Sequence, residues 1–355
     1  MDAYINQIAT AVPPYDIHGK FVDYVMSMLR EVRGRTLFKR MASRAEIEHR
    51  YSFFPPHHEA THLETLDFYK PGDFPNTEAR MKFYEQHAFG LASQALDRLF
   101  GSKEKNDITH LLITTCTGFY APGLDLQIIK HYGLNASIER TIIGFMGCYA
   151  GINALKVAHH IVRSKSNAKV LIINLELCTL HLQESQDLEQ VLGFLVFADG
   201  CAASLVSAEP TGIRINDFYC ALIPDSAEQI TWHIGSSGFD MLLSGQVPAA
   251  ITNSLPPCID KILNNVPREK IRHWAIHPGG RRILDAVQET IGIADEQLEP
   301  SRNVLRDYGN TSSASIMFVL KAVLERGDKG LGCAMAFGPG LGVESMSFEV
   351  TGASP

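Results

Sequence analysis

The sequence predicts an α/β protein with a mixed or largely parallel sheet covered on both faces, and three observations lead there. Short runs dense in Val, Ile and Leu, with few alternating polar residues, read as strands buried on both sides. Longer runs with helical spacing lie between them. A pattern also recurs. A strand ending near Cys116 precedes Cys148 at the head of a helix, and a strand ending at His277 precedes Asn310 at the head of another, at nearly equal intervals. Two tandem units of this kind would set Cys148 and Asn310 at equivalent positions on opposite sides of a pseudo-twofold axis.

Taken in order, Phe54–Pro75 carries prolines and histidines and reads as an irregular excursion. Thr77–Leu99 reads as a helix. Ile108–Thr115 (ITHLLITT) is the first clear buried strand, and Thr141–Gly144 reads as the end of another. Tyr149–Ser164 is apolar on nearly every face, through Ile152, Leu155, Val157 and Ile161, which marks a buried helix. Val170–Glu176 (VLIINLE), Ala202–Val206, His273–Ile276 and Cys333–Phe337 read as further buried strands. Arg282–Ile291 and Ser312–Glu325 read as helices.

Composition bounds the function. The chain has 355 residues, of which 45% are hydrophobic, 20% charged and 9% aromatic, a globular profile. At roughly 150 residues per domain that length fits two lobes or one large duplicated fold. Lys and Arg number 32 against 39 Asp and Glu, for a net charge of −7, which argues against a nucleic-acid partner. No apolar run reaches the roughly 18 residues of a membrane helix. Asp2 and the lack of a basic opening segment argue against a secretory signal, so the expected location is cytoplasmic. Seven cysteines with no CxxC spacing fit reduced thiols rather than a disulfide frame or a zinc site, and no metal is expected.

Three residues could carry chemistry. Cys148 lies in GFMGCYAG, between Gly147 and Gly151, at the start of the buried helix. Free N–H groups and the helix dipole favour a thiolate there, although a small core thiol is the plainer alternative. His277 ends an apolar strand and enters a Pro-Gly-Gly turn, at the strand edge where α/β sites gather. His57, His58 and His62 sit in polar settings that suit a solvated role. Asn310 follows Gly309 and precedes a helix start rich in Ser and Thr, where an ordinary cap is the alternative reading. Together the three supply a nucleophile and two hydrogen-bond donors, the equipment for stabilising an enolate beside a thioester.

Cys148 in GFMGCYAG, FADG at Phe197–Gly200, His277 in HPGG, Asn310 in GNTSSAS and FGPG at Phe337–Gly340 follow the order and spacing of the chalcone synthase-like type III polyketide synthases. CTGFYAPGLDLQI from Cys116 and FKRMASRAEIEHRY from Phe38 resemble the same family, and the likeness to bacterial members is stronger than to plant ones. The resemblance implies a duplicated thiolase-like fold in five layers, αβαβα, with halves at 1–210 and 211–355, and a homodimer. It implies that Cys148 takes an acyl group from a starter acyl-CoA. His277 and Asn310 would bind the malonyl-CoA carbonyl while CO2 leaves, and the enolate would attack the Cys148 thioester over several rounds before the chain cyclises. No cofactor is implied, and His277 would hold Cys148 as a thiolate.

Further positions follow from the resemblance. Phe197 matches a gatekeeping phenylalanine. Arg40 and Arg44 match two CoA phosphate contacts, while Leu37 stands at a third, with Lys39 as the neighbouring charge. Cavity positions depart from the plant enzymes: Met241 replaces a second phenylalanine, Trp232 a glycine, Cys116 and His181 two threonines. Trp232 would narrow the pocket, and flexible Met241 suits an aliphatic chain. The expected product is an α-pyrone or a resorcinol or phloroglucinol. The alternative is an initiating 3-ketoacyl-(acyl-carrier-protein) synthase performing one condensation.

Overall fold

A computed structural model describes residues 1–55, 68–70, 72–101, 105 and 107–352. His57, His58, His62 and much of the expected excursion 54–75 lie outside the described residues. The first half carries strands β1 (Ala3–Ala11), β2 (Tyr15–Asp16), β3 (Tyr51–Ser52), β4 (His110–Thr115), β5 (Glu139–Gly144), β6 (Lys169–Leu177) and β7 (Asp199–Ser207). The second carries β8 (Gly212–Leu222), β9 (Ile230–Gly235), β10 (Gly238–Leu243), β11 (Ile271–Ile276), β12 (Gly330–Gly338) and β13 (Gly342–Gly352).

Nine of these form one mixed sheet in the order β11-β12-β13-β8-β1-β7-β6-β4-β5. The pairing repeats. β4 runs parallel to β6, β6 antiparallel to β7, and β7 antiparallel to β1. Likewise β11 runs parallel to β12, β12 antiparallel to β13, and β13 antiparallel to β8. Among the described residues the two ladders join where Ala3, Tyr4 and Ile5 meet Ile215, Arg214 and Ile213. The duplication read from the Cys116–Cys148 and His277–Asn310 pattern is thus present in the hydrogen bonding.

Alternation along the strands builds the layers. Leu111, Ile113, Leu171 and Ile173 face outward onto the long helix Thr77–Phe100. Their neighbours Leu112, Val170 and Ile172 face inward onto the helices Ala150–Ser164 and Ser315–Glu325. In the second half Ala275, Ala334 and Ala336 face that same central layer. Trp274, Ile276, Cys333 and Met335 face the outer helices Arg281–Ile291 and Asp295–Tyr308. Three apolar cores, the middle one covering both faces of the central helices, hold five layers together, αβαβα, the thiolase-like arrangement.

The central helices are the ones that carry Cys148 and follow Asn310, and they approach closely. A Cβ on Gly151 would stand 2.6 Å from the Ser313 carbonyl oxygen. Gly147 is required twice over: its φ is +69°, and a Cβ would lie 2.2 Å from Pro339 Cδ, a stiff ring atom.

Candidate active site

Cys148 sits in the 3-10 turn Gly147–Tyr149 that feeds the helix Ala150–Ser164. It is buried against Cys178 and Phe197. The Asn310 carboxamide and the Ser312 hydroxyl stand within hydrogen-bonding reach of its sulfur. Burial dominates the thiol's acidity and, despite relief from Ser312 and Asn310, pushes it up to about 11.

Asn310 is held by backbone bonds to the other half of the molecule. Its N–H donates to the Val196 carbonyl at 2.8 Å, and its carbonyl accepts from Ala198 at 2.9 Å. Its side-chain Oδ1 accepts from the Ser312 N–H at 2.8 Å. A backbone N–H can only donate, so the carboxamide orientation is determined and the Nδ2 hydrogens face elsewhere. Besides the Cys148 sulfur they meet the Gly279 carbonyl, at 3.4 Å, in the turn that follows His277.

His277 is anchored at the end of β11 by its N–H to the Met335 carbonyl at 2.8 Å. Its imidazole is fully buried, and neither ring nitrogen has a partner among the described residues. Burial alone pulls its pKa down to about 3. The resemblance implied a thiolate held by His277. Burial acts against both charges, pushing the thiol and the imidazole towards their neutral forms. A neutral imidazole can still donate one N–H to a carbonyl oxygen.

A narrow cavity opens at Cys148. Cys116, Cys178, Phe197, Trp232 and Met241 line it. Trp232 and Met241 face each other across the β9–β10 hairpin. The Trp232 indole N–H donates to the Cys116 carbonyl at 2.8 Å, which pins the ring across the cavity. Cys116 Sγ accepts from the Gly147 N–H at 3.0 Å. His181 does not line this cavity, contrary to expectation. Its two ring nitrogens are taken by the Thr117 carbonyl and the Phe239 N–H, and its ring stacks on Phe239 at 4.1 Å. It backs the wall and orients Trp232, whose ring meets it edge-on at 5.4 Å.

Lys39 and Arg40 occupy the last turn of the helix Val32–Ala42 and Arg44 follows it, all three exposed, while Phe38 anchors the helix inward. None has an ion-pair partner among the described residues, so their charge is open to solvent.

The buried charged residues that the sequence reading missed include Glu176 and Arg50. Glu176, at the end of β6, accepts from the Cys116 N–H, the Thr117 hydroxyl and the Ser313 hydroxyl at 2.9, 2.9 and 2.6 Å. It ties the first half to the turn behind Asn310, and burial raises its pKa to about 7. Arg50 donates through Nη1 to the Phe194 and Phe197 carbonyls. The only sequence signal for Glu176 was an acid closing an apolar strand.

A buried thiol lining an apolar cavity, with a carboxamide from the other half of a duplicated α/β fold beside it, has the equipment of a condensing acyltransferase. Residues 3–210 match the model of the N-terminal domain of chalcone and stilbene synthases, and residues 216–351 that of the C-terminal domain. The chain belongs to this family, the type III polyketide synthases, which are acyltransferases. It is 33% identical over 286 residues to the alpha-pyrone synthesis polyketide synthase-like Pks18 of Mycobacterium tuberculosis, covering 76% of this chain and 73% of that protein. It is 28% identical to bisdemethoxycurcumin synthase of Oryza sativa subsp. japonica, over 98% of this chain and 92% of that one. Among solved structures, PKS-I of the brown alga Ectocarpus siliculosus superposes with a TM-score of 0.86 at 30% identity, covering 98% of both chains. The C-terminal type III domain of Steely1 from Dictyostelium superposes at 0.90 with 23% identity over 99% of both, a likeness of fold.

Proposed function

We propose that Cys148 is the nucleophile and that His277 and Asn310 are the donors of a malonyl-CoA-dependent, iterative polyketide synthase. Cys148 Sγ attacks the starter acyl-CoA carbonyl and CoA leaves as the thiol with the cysteine's proton. Malonyl-CoA then loses CO2, and its electron pair becomes an enolate whose oxygen accepts from Asn310 Nδ2 and the His277 N–H. The enolate carbon attacks the Cys148 thioester, the C–S bond breaks, and a β-ketoacyl-CoA two carbons longer results. Reloading on Cys148 repeats the cycle until the chain closes on itself. Decarboxylation supplies the driving force, so the scheme calls for no metal or redox cofactor.

The observation that carries this reading is the Asn310 carboxamide, turned by Ser312 so that its donor end faces the Cys148 sulfur. Trp232 and Met241 shape the cavity for a slender chain, with Phe197 at its entrance and Cys116 in its wall. Together with the likeness to Pks18 this favours an α-pyrone over a resorcinol or phloroglucinol. His181 supports the wall from behind. Arg40, Arg44 and Lys39 are the proposed CoA phosphate contacts. We read the chain as two halves, 1–210 and 211–355, working in the cytoplasm as a homodimer. The exposed Phe119, Leu126, Ile142 and Met146 around edge strand β5 support a second copy there. Incubation with malonyl-CoA and a panel of acyl-CoA starters, read by mass spectrometry, tests the reading. A pyrone from free CoA thioesters supports it, and turnover only with carrier-protein substrates counts against it.

A further inference from the structure

Arg50 stands just before β3 and is 1% exposed, a buried charge that the reaction scheme does not use. The groups its side chain bonds are neutral. Nε donates to His18 Nδ1 at 3.0 Å, and Nη1 donates to the Phe194 and Phe197 carbonyls at 2.9 and 2.6 Å. Burial and the neighbouring guanidinium pull the His18 pKa down to about 4, so Nδ1 keeps its lone pair for that bond. The guanidinium carbon lies 4.4 Å from the centre of the Phe21 ring. The Arg50 main chain is bonded to Asp16 Oδ1 and to the Ile17 N–H. These contacts fix the direction of the side chain.

The two carbonyls lie where the helix Leu188–Val196 ends. The last turn of a helix leaves carbonyls without helical partners and favours a cation beside them. Phe194 gives its carbonyl to Arg50, and Val196 gives its own to the Asn310 N–H at 2.8 Å. Phe197 again gives its carbonyl to Arg50, and the Ala198 N–H donates to the Asn310 carbonyl at 2.9 Å. Groups held by Arg50 and groups that hold Asn310 thus alternate along one short segment. Contact is also direct. A Cβ on Gly309, the residue before Asn310, would stand 2.8 Å from Arg50 Cγ and 2.9 Å from the Val196 carbonyl oxygen. Arg50 therefore lies against the main chain that presents the carboxamide.

We propose that Arg50 is a positioning residue for decarboxylation: by clamping the Phe194 and Phe197 carbonyls it fixes the segment from which Asn310 hangs, and it acts on the reaction through Asn310. The inference rests on the polyketide synthase reading above. A donor stabilises an enolate only where its N–H meets the developing charge, and a displacement of about 1 Å is costly. The guanidinium fork serves both carbonyls from one nitrogen and His18 from another. A lysine ammonium is a single point donor and cannot hold all three.

The test is a double-mutant cycle on CO2 release from malonyl-CoA, with wild type, Arg50→Lys, Asn310→Asp and the double variant. Arg50→Lys should lower kcat about 10-fold and leave the malonyl-CoA KM within about twofold, since the proposed CoA phosphate contacts are untouched. In the Asn310→Asp background the same change should lower kcat less than about twofold, because the donor that Arg50 positions is already gone. A merely structural loss would multiply the two effects. The full loss in both backgrounds, or an unchanged kcat in Arg50→Lys, overturns the inference. If Arg50→Lys fails to fold, His18→Phe takes its place in the cycle and is read by the same rule. It keeps a buried ring, removes the acceptor of Nε, and should lower kcat about threefold with Asn310 present and not with Asp there. Wild type separates the two readings: CO2 release with multiplying effects leaves the synthase assignment standing, and no CO2 release from wild type removes both.

Discussion

The Ser312 N–H donates to Asn310 Oδ1 at 2.8 Å, and that one bond decides which end of the carboxamide faces the chemistry. Ser312 itself is held at φ 49°, an unusual value for a non-glycine residue, in the turn that starts the second central helix. Asn310→Asp keeps the size and the Ser312 bond but replaces the donor with an acceptor beside the enolate oxygen. CO2 release from malonyl-CoA should fall about 10²–10³-fold, the usual cost of one oxyanion donor. Unchanged release would remove Asn310 from the reaction.

The acidity of Cys148 sets a pH profile. Burial pushes its thiol up to about 11 and His277 down to about 3, which favours the neutral form of each at neutral pH. Alkylation by iodoacetamide should climb about tenfold per pH unit from pH 7 to 10, because only the thiolate reacts. A rate already level above pH 6 would reveal a thiolate–imidazolium pair instead.

Glu176 gives a stability prediction with a defined sign. Burial raises its pKa from 4.5 to about 7. The folded state thus holds its proton more tightly than the unfolded chain, and this stabilisation is full below pH 4.5 and is lost as pH rises through 7. A shift from 4.5 to about 7 corresponds to about 3 kcal/mol. In Glu176→Gln the amide oxygen can take the Cys116 and Thr117 donors while its NH2 donates to Ser313. Its Tm should therefore fall less than that of wild type between pH 5 and 8. Parallel melting curves across that range would contradict the assignment.

Trp232 limits the space at Cys148. Trp232→Gly removes the indole and its bond to the Cys116 carbonyl, which should lower Tm and admit bulkier starters. The stability cost is expected at about 2–4 kcal/mol, below that of a fully buried tryptophan because the ring is only partly buried. Product profiling with an aromatic starter checks it. An unaltered starter range would place the size limit elsewhere.

Much of this was legible in the residues. The buried strands β4, β6, β7, β11 and β12 announced themselves because both faces are covered, and the glycines around Cys148 and Asn310 marked their turns. β1, β8 and β13 were not found, since polar residues interrupt them: Asn6 and Gln7 in β1, Arg214 and Asp217 in β8, Glu344 and Glu349 in β13. Glu176 and Arg50 look like ordinary charges in sequence. Only contacts from distant segments, Ser313 for one and Phe194 with Phe197 for the other, bury them and give them a task. His181 was misplaced for the same reason: its wall position follows from bonds to Thr117 and Phe239 that no local pattern encodes.

The central claim concerns one sulfur among three in the cavity wall. Wild type and Cys148→Ala should each be incubated with a starter acyl-CoA, quenched, digested and mapped by mass spectrometry. The account predicts an acyl group on the Cys148 peptide of wild type, none on Cys116 or Cys178, and neither adduct nor condensation in the variant. Acylation at Cys116 or Cys178, with condensation persisting in Cys148→Ala, would contradict it.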